Sequence, residues 1–331
     1  MRRAVIVTII ALAAAAQNAG AAQLKIATIA PDGSFWMNEA RKAADEIADR
    51  TDGRVTFRFY PGGTMGDDAA VMRKMRIGQL HGGVFLGGSF ASLVPDLYLF
   101  SLPLLFTSYE EVDAVREVID PKLVAALGAE GYHSFGFIEG GFAYLYTTSK
   151  AASFADLEGR KAWLPEDDPV GRVLIEEVGL SPVPLGLADV LTGLQTGLVD
   201  VVSGPPVAAV ALQWFTKVKY VTEVPIVYTC GTFALSNRAW TKLSDGDQAI
   251  VDEVLSEMTR ILDRRAREDN EGARVALQNQ GVVAVEPQAG TADEWRELAD
   301  RTSQVLVEEL GLSPELLAEI EAVRDAVRSE E

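Results

Sequence analysis

One cysteine, Cys230, and two histidines, His81 and His133, set the outer limit on the covalent and metal chemistry open to this chain. A catalytic thiol needs a histidine beside it to take its proton. Cys230 sits in Val227-Tyr228-Thr229-Cys230-Gly231-Thr232-Phe233, an apolar stretch that reads as a buried strand, so its thiol is expected to be inert core. His81 opens an apolar run and His133 stands just before Phe135-Gly136-Phe137; both read as strand residues. Two histidines are a poor basis for a His-rich zinc site. The chain has no G-x-S-x-G elbow, H-E-x-x-H helix, P-loop or G-x-G-x-x-G fingerprint. Glu166-Asp167-Asp168 could gather a cation, but Asp168 before Pro169 reads first as a helix N-cap, with the other two acids favouring the positive helix end. The expectation is a protein that is not an enzyme and carries no metal or other cofactor.

Charge and the amino-terminal segment narrow the class further. The 331-residue chain has a formal net charge of −18. Such a surface repels phosphate backbones, so no nucleic-acid partner is expected. Arg2 and Arg3, the uncharged run Ala4 to Ala16 and the small residues Ala19-Gly20-Ala21-Ala22 read as a secretory signal peptide over 1–22, cleaved near Ala22. The apolar run is shorter than the roughly 20 residues of a membrane-spanning helix. An exported chain with one thiol forms no internal disulfide, so its stability has to come from packing.

The elements that position any site alternate between strand and helix. Strands are expected at 24–29, 55–60, 82–86, 132–138, 142–148, 160–164, 182–184, 199–202 and 282–285. Helices are expected at 36–50, 67–77, 108–118, 121–129, 169–178, 188–196, 292–310 and 313–328. In the first helix Trp36, Ala40, Ala43, Ala44 and Ile47 form the apolar stripe. One amphipathic stretch runs from Asp245 to about Gln280; its Arg260, Arg264, Arg265 and Arg267, mixed with acids, read as a solvated face. Met75-Arg76-Ile77-Gly78-Gln79-Leu80 and Leu194-Gln195-Thr196-Gly197-Leu198-Val199 repeat one grammar of helix, glycine cap and buried strand. Two α/β lobes follow, with loops at the carboxyl ends of strands, where open α/β sheets bind ligands.

Several further segments, in order and spacing, carry a resemblance. These are Tyr60-Pro61 to Gly66-Asp67-Asp68, Val94-Pro95-Asp96, Ser101-Leu102-Pro103-Leu104-Leu105-Phe106, Asp156-Leu157-Glu158-Gly159-Arg160-Lys161, Pro182-Val183-Pro184-Leu185, Asp189-Val190 and Leu194 to Asp200. Together they resemble the periplasmic solute-binding proteins of TRAP transporters, the DctP-type family, over nearly all of the mature chain. The resemblance implies a two-lobe periplasmic-binding-protein fold, type II-like, each lobe a mixed sheet flanked by helices, with a long helix spanning both. Its lobes are expected at 23–141 plus about 232–275, and at 142–231 plus about 276–331. It implies a periplasmic receptor, a monomer, that closes on a small organic ligand, usually a carboxylate, and hands it to TRAP membrane permease subunits.

The departures from the family pattern define the candidate site. Where the family places an arginine that forks onto the ligand carboxylate, this chain has Trp163, in Lys161-Ala162-Trp163-Leu164-Pro165. Ala143 follows Gly141-Phe142 where a second arginine is common, and Gly204 replaces an asparagine that contacts ligand. The resemblance also brings Ile29, Leu86, Ser89 and Leu187 to the cleft. The ligand is therefore expected to be apolar or aromatic in part, stacked on Trp163 and flanked by Phe142, Tyr144, Trp214 and Tyr228. Trp163→Ala is expected to weaken binding by roughly 2 kcal/mol or more with the fold intact. Two alternatives stay open: a conventional carboxylate receptor whose cation has moved, Arg172 first, and a periplasmic carrier or chaperone of a hydrophobic cargo.

Overall fold

The computed structural model describes residues 22–165, 168–288 and 292–330. The expected signal peptide, apart from Ala22, lies outside the described residues, as do Glu166 and Asp167. In chain order the strands and helices are β1 (Ala22–Ala27), α1 (Phe35–Arg50), β2 (Val55–Tyr60), α2 (Asp68–Arg76), β3 (Gly82–Leu86), α3 (Tyr109–Ala129) and β4 (Tyr132–Thr147). Then come β5 (Lys161–Leu164), α4 (Pro169–Glu177), β6 (Ser181–Pro184), α5 (Val190–Thr196), β7 (Val201–Gly204), α6 (Pro206–Ala211) and β8 (Tyr220–Thr222). The last are β9 (Val227–Ser236), α7 (Asn237–Trp240), α8 (Asp245–Asn279), β10 (Val283–Val285), α9 (Ala292–Leu310) and α10 (Pro314–Glu330). No helix among the described residues is long and apolar enough to cross a membrane.

The chain divides into two compact units. Unit 1 holds the residues up to Gly83 and Leu235–Met258; unit 2 holds Val84–Ala234 and the residues from Thr259 onward.

In unit 1, β1 pairs in parallel with β2 and β3, as a strand–helix–strand order requires. Ser34 caps α1, its Oγ accepting from Met37 N at 3.2 Å. Met37, Ala40, Ala43 and Ile47 are the buried stripe of α1. Met37 thus takes the place expected for Trp36, which is only half-buried. Asp67 caps α2 and Gly78, with φ +77°, ends it in the left-handed conformation that glycine adopts without steric cost. His81 precedes β3 rather than lying in it; its Nδ1 accepts from Lys25 N at 2.9 Å, and burial holds the imidazole below its usual pKa.

Asp247, in the first turn of α8, is buried and takes the Arg54 guanidinium, with Nη2 at 2.9 Å, together with the Ser244 hydroxyl at 2.8 Å. The Arg54 hydrogen bond holds its carboxyl below the ordinary carboxylate range. A carboxyl depressed in the folded state stabilises above its unfolded pKa, about 3.9, and loses that effect as pH falls through the folded value. Asp247→Asn should therefore cost about 1–3 kcal/mol at neutral pH and much less in acid. Urea titrations at neutral pH and near pH 3 check this; an equal loss at both would remove Arg54–Asp247 as the cause.

In unit 2 the sheet order runs β4-β7-β5-β6. β4 and β7 are antiparallel, whereas β7, β5 and β6 are parallel. β8 joins β4 on one side and β10 on the other. Two expected breaks are absent. Pro121 does not split α3, because Pro121 and the Glu117 four residues before it face solvent, so water can satisfy the freed carbonyl. The buried stripe Val112, Val115, Ile119, Leu123 and Leu127 continues through it. β4 likewise runs unbroken through Gly140-Gly141. There Asn270 Nδ2 donates to Gly140 O at 3.0 Å and Thr229 Oγ1 to Gly141 O at 2.8 Å. A Cβ on Gly141 would lie 2.4 Å from Asn270 Nδ2, and the residue has φ +94°, so only glycine fits.

A charged network ties α3, β4, β9 and α8 together. Glu139 on β4, whose side chain is fully buried, accepts from Arg267 on α8 and from the Tyr228 hydroxyl at 3.2 Å. Arg267 also forks onto Asp113 and lies 4.3 Å over the Tyr109 ring. Arg116 on α3 binds Asp120, Asp263 and the Phe137 carbonyl. The arginine-bearing face of α8 is therefore only partly the solvated surface expected: Arg265 pairs along the helix with Glu268 and Asp269, but Arg267 reaches inward, and Asp263 pairs with α3.

Candidate functional site

The β-sheet register of unit 2 determines which candidate residues share a face. Tyr146 pairs with Val202, and Trp163 with Val183; Ala162 opposite Val201 sets Trp163 beside Val202. Tyr146, Val202, Trp163 and Val183 thus form one row across the sheet. Side chains repeat every second residue along a strand, so Tyr144, paired with Gly204, stands on the same face one row on. That face packs on Val190 and Leu194 of α5, Ala209 of α6, Trp214, and Leu277 of α8.

Four of the expected site residues, Trp163, Tyr144, Gly204 and Trp214, therefore meet in one aromatic cluster. The Trp163 ring lies edge-on to Trp214 with centroids 5.5 Å apart, and Tyr146 meets Trp214 at 6.5 Å. Trp163 is 9% exposed, and its indole N–H donates to Leu185 O at 2.9 Å. Gly204 leaves room for the neighbouring indole: a Cβ there would stand 3.2 Å from Trp214 Cζ3.

Phe142 and Tyr228 form a different cluster. Their rings are 5.6 Å apart, and Phe142 also meets Tyr109 at 4.9 Å. The Tyr228 hydroxyl accepts from Arg116 Nη1 at 3.3 Å besides donating to Glu139. Ala143 between them is buried, its carbonyl taken by Ile226 N at 2.8 Å. Cys230 is buried on β9, and burial pushes its thiol up to about 12, far from the thiolate a nucleophile needs. Arg172 is held on the surface by Glu176 at 3.1 Å and Glu309 at 2.5 Å. Asp168 caps α4 by accepting from Gly171 N at 3.0 Å, and burial raises its carboxyl pKa.

The apolar residues expected in the site are exposed, each at or just past the carboxyl end of a strand. In unit 1, Ile29 follows β1 and is 47% exposed. In unit 2, Leu86 ends β3 at 63% and Leu187 follows β6 at 46%. Ser89 stands half-buried in the short helical turn Gly87–Phe90 after β3. Carboxyl ends of parallel strands are where open α/β sheets bind ligands, and exposed leucine and isoleucine there offer apolar contact.

A model of the bacterial extracellular solute-binding protein family 7, DctP, matches residues 26–309. The chain belongs to that family. It is 24% identical over 292 residues to the C4-dicarboxylate-binding periplasmic protein DctP of Rhodobacter capsulatus, covering 86% of this chain and 85% of that one. Its fold is that of a TRAP periplasmic solute-binding protein of Ochrobactrum anthropi, with a TM-score of 0.84, 23% identity, and 95% and 98% of the two chains covered. A Desulfovibrio salexigens TRAP periplasmic solute-binding protein with bound orotic acid superposes with a TM-score of 0.83 at 17% identity, over 92% of this chain and 99% of that one. The family 7 chain is thus a TRAP-type solute receptor on an α/β periplasmic-binding-protein fold. Family 7 members are receptors rather than enzymes and are periplasmic.

The residues that sequence reasoning missed are Tyr146 and Arg274. Tyr146 reads as one more strand aromatic. Arg274 reads as one of many charges on a long helix. Together with Tyr144, Pro206, Glu223 and Gln278 they line a pocket within unit 2.

Proposed function

We propose that this receptor captures a small organic acid whose remaining part is apolar or aromatic, without an arginine at position 163. The observation that carries the reading is the Trp163–Trp214–Gly204 cluster. Where a cation would stand there is an indole whose only N–H is taken by Leu185 O, and beside it Gly204 makes room for a second indole. Within the same unit, Leu86 and Leu187 are apolar residues exposed at strand ends. The acid half of the proposal draws on the relatives, one named for C4-dicarboxylates and one holding orotic acid, itself a ring with a carboxylate. No observation favours Arg172 as the relocated anchor: it is 38% exposed and pairs with Glu176 and Glu309.

The same proposal includes the finer points. The signal peptide is removed near Ala22, the lobe boundaries lie near 141, 231 and 275, and the released receptor is not an enzyme and engages the permease as a monomer. In support of the monomer, α10 docks on α3 of its own chain. Arg328 Nε donates to the buried Glu111 at 2.7 Å, and Lys122 pairs with Glu319.

The test is a thermal-shift screen of residues 23–331 against short keto-, hydroxy- and dicarboxylic acids and against aromatic acids and neutral apolar solutes. A ligand that binds only the folded state raises the melting temperature by mass action. Shifts with aromatic or branched acids, and none with short dicarboxylates, are expected. Shifts with short dicarboxylates alone would overturn the apolar reading, and shifts with neutral apolar solutes alone would favour a hydrophobic carrier.

A further inference from the structure

The pocket that sequence reasoning missed lies on the Tyr144 and Tyr146 side of β4. It is walled by β8 (Val221, Thr222), Glu223, Pro206 and the carboxyl-terminal half of α8 (Arg274, Leu277, Gln278), so it lies wholly within unit 2. It is small: its enclosed space is about 20 Å³, room for one small polar group such as a carboxylate, with the rest of a ligand outside its open mouth.

Two groups in it point to an anion. The first is Arg274 at the rim. Its Nη2 meets Glu223 at 3.2 Å, and its guanidinium lies 6.0 Å from the centroid of the Tyr144 ring. The Arg274 and Glu223 side chains are 38% and 23% exposed. The pair is part-buried, and the Tyr144 hydroxyl and Glu271 also act on Arg274. A guanidinium carries five N–H donors, so Arg274 has donors beyond these for a bidentate acceptor. The second group is Tyr146. Its side chain is fully buried, and its hydroxyl has no hydrogen-bond partner among the described residues. Burial pushes the phenol well above its usual pKa, so it stays a donor. A buried hydroxyl without an acceptor costs about 1–3 kcal/mol, and natural structures rarely leave one so. Val221, Leu277 and Val282 give the pocket an apolar wall that strengthens a charge-assisted contact.

We propose that this pocket binds a small carboxylate, one oxygen held by Arg274 and the other received by the Tyr146 hydroxyl. The carboxylate belongs either to the transported solute or to a free short acid, and both present the same group.

Acetate is the probe, with chloride at equal ionic strength as the control. Acetate is expected to raise the melting temperature of the signal-free protein by several degrees at concentrations where chloride does not. Tyr146→Phe keeps the ring and the fold but removes the donor; Arg274→Gln keeps an amide but removes the charge. Each is expected to weaken acetate at least tenfold. If the solute's own carboxylate occupies the pocket, Arg274→Gln also weakens the solute found by the screen, and acetate competes with it. If the pocket takes a free acid, solute affinity is unchanged and only the acetate effect is lost. An acetate shift equal to that of chloride, or one that survives both substitutions, would overturn the proposal while leaving the receptor reading untouched.

Discussion

Trp163→Ala should lower the stability of the folded protein by about 3–5 kcal/mol, the usual cost of truncating a buried tryptophan. Taken from the sequence alone, the same substitution was expected to leave the fold intact. The difference comes from burial: the ring is 9% exposed, packs edge-on against Trp214 and anchors Leu185 through its indole N–H. Removal opens a cavity beside Val190 and Leu194 and leaves the Leu185 carbonyl without that donor. Solute affinity should fall as well, by about 2 kcal/mol, because the neighbouring Trp214 loses the face it packs on. Urea denaturation measures the first effect. Calorimetric titration of the folded variant, kept well below its melting temperature, measures the second. Trp163→Phe retains ring contact and should recover part of the stability but not the Leu185 hydrogen bond. A stability loss under about 1 kcal/mol would show that the indole is not part of the core, and unchanged affinity would take it out of the site.

Arg267→Ala should be nearly as costly. It leaves Glu139, whose side chain is fully buried, without its cation, and breaking one partner of a buried pair typically costs about 3–5 kcal/mol. The pH dependence separates this from loss of packing. Burial raises the Glu139 carboxyl above its usual value even with Arg267 present. A carboxyl raised in the folded state favours folding below its unfolded pKa and loses that effect as pH rises through the folded value. Without Arg267 the rise should be greater. The variant should then recover toward the wild type as pH falls below neutral, as Glu139 takes up a proton and needs no cation. Glu139→Gln in the same background should recover stability at neutral pH. A deficit that is flat across that pH range would point to lost packing on Tyr109 instead.

Most of the fold could be read from local signals. Gly78 and Gly197 end their helices with φ of +77° and +71°, and Asp168-Pro169 opens α4 as those two residue types together imply. What escaped the sequence depends on residues far away along the chain. β4 continues through Gly140-Gly141 because Asn270 and Thr229 bind those carbonyls, and neither is within eighty residues. Pro121 sits inside α3 because its side of the helix faces water, a property that tertiary packing decides. The candidate site was legible to the same degree. Trp163, Trp214, Tyr144 and Gly204 could be grouped from the sequence; register puts Trp163, Tyr144 and Gly204 on one face, and Trp214 packs against it. Two facts needed coordinates: the Trp163 N–H is already taken, and the Tyr146 hydroxyl has no partner among the described residues. Arg267 and Arg274 were hidden by composition, since arginines amid acids on a long helix look alike whether they face water or a buried carboxylate.

The division of unit 1 between residues up to Gly83 and Leu235–Met258 bears on the order in which the chain can assemble. Arg54 meets Asp247 across 193 positions, and Arg50 meets Glu253 across 203. Closing such a span is entropically expensive, and contacts of that separation form late. A polypeptide delivered amino end first therefore presents β1, β2 and β3 long before the segment that completes their unit. Until about residue 258 has emerged, Arg50 and Arg54 have only their near neighbours Glu46 and Asp52 to pair with. Unit 1 is therefore completed only after most of the chain has been made.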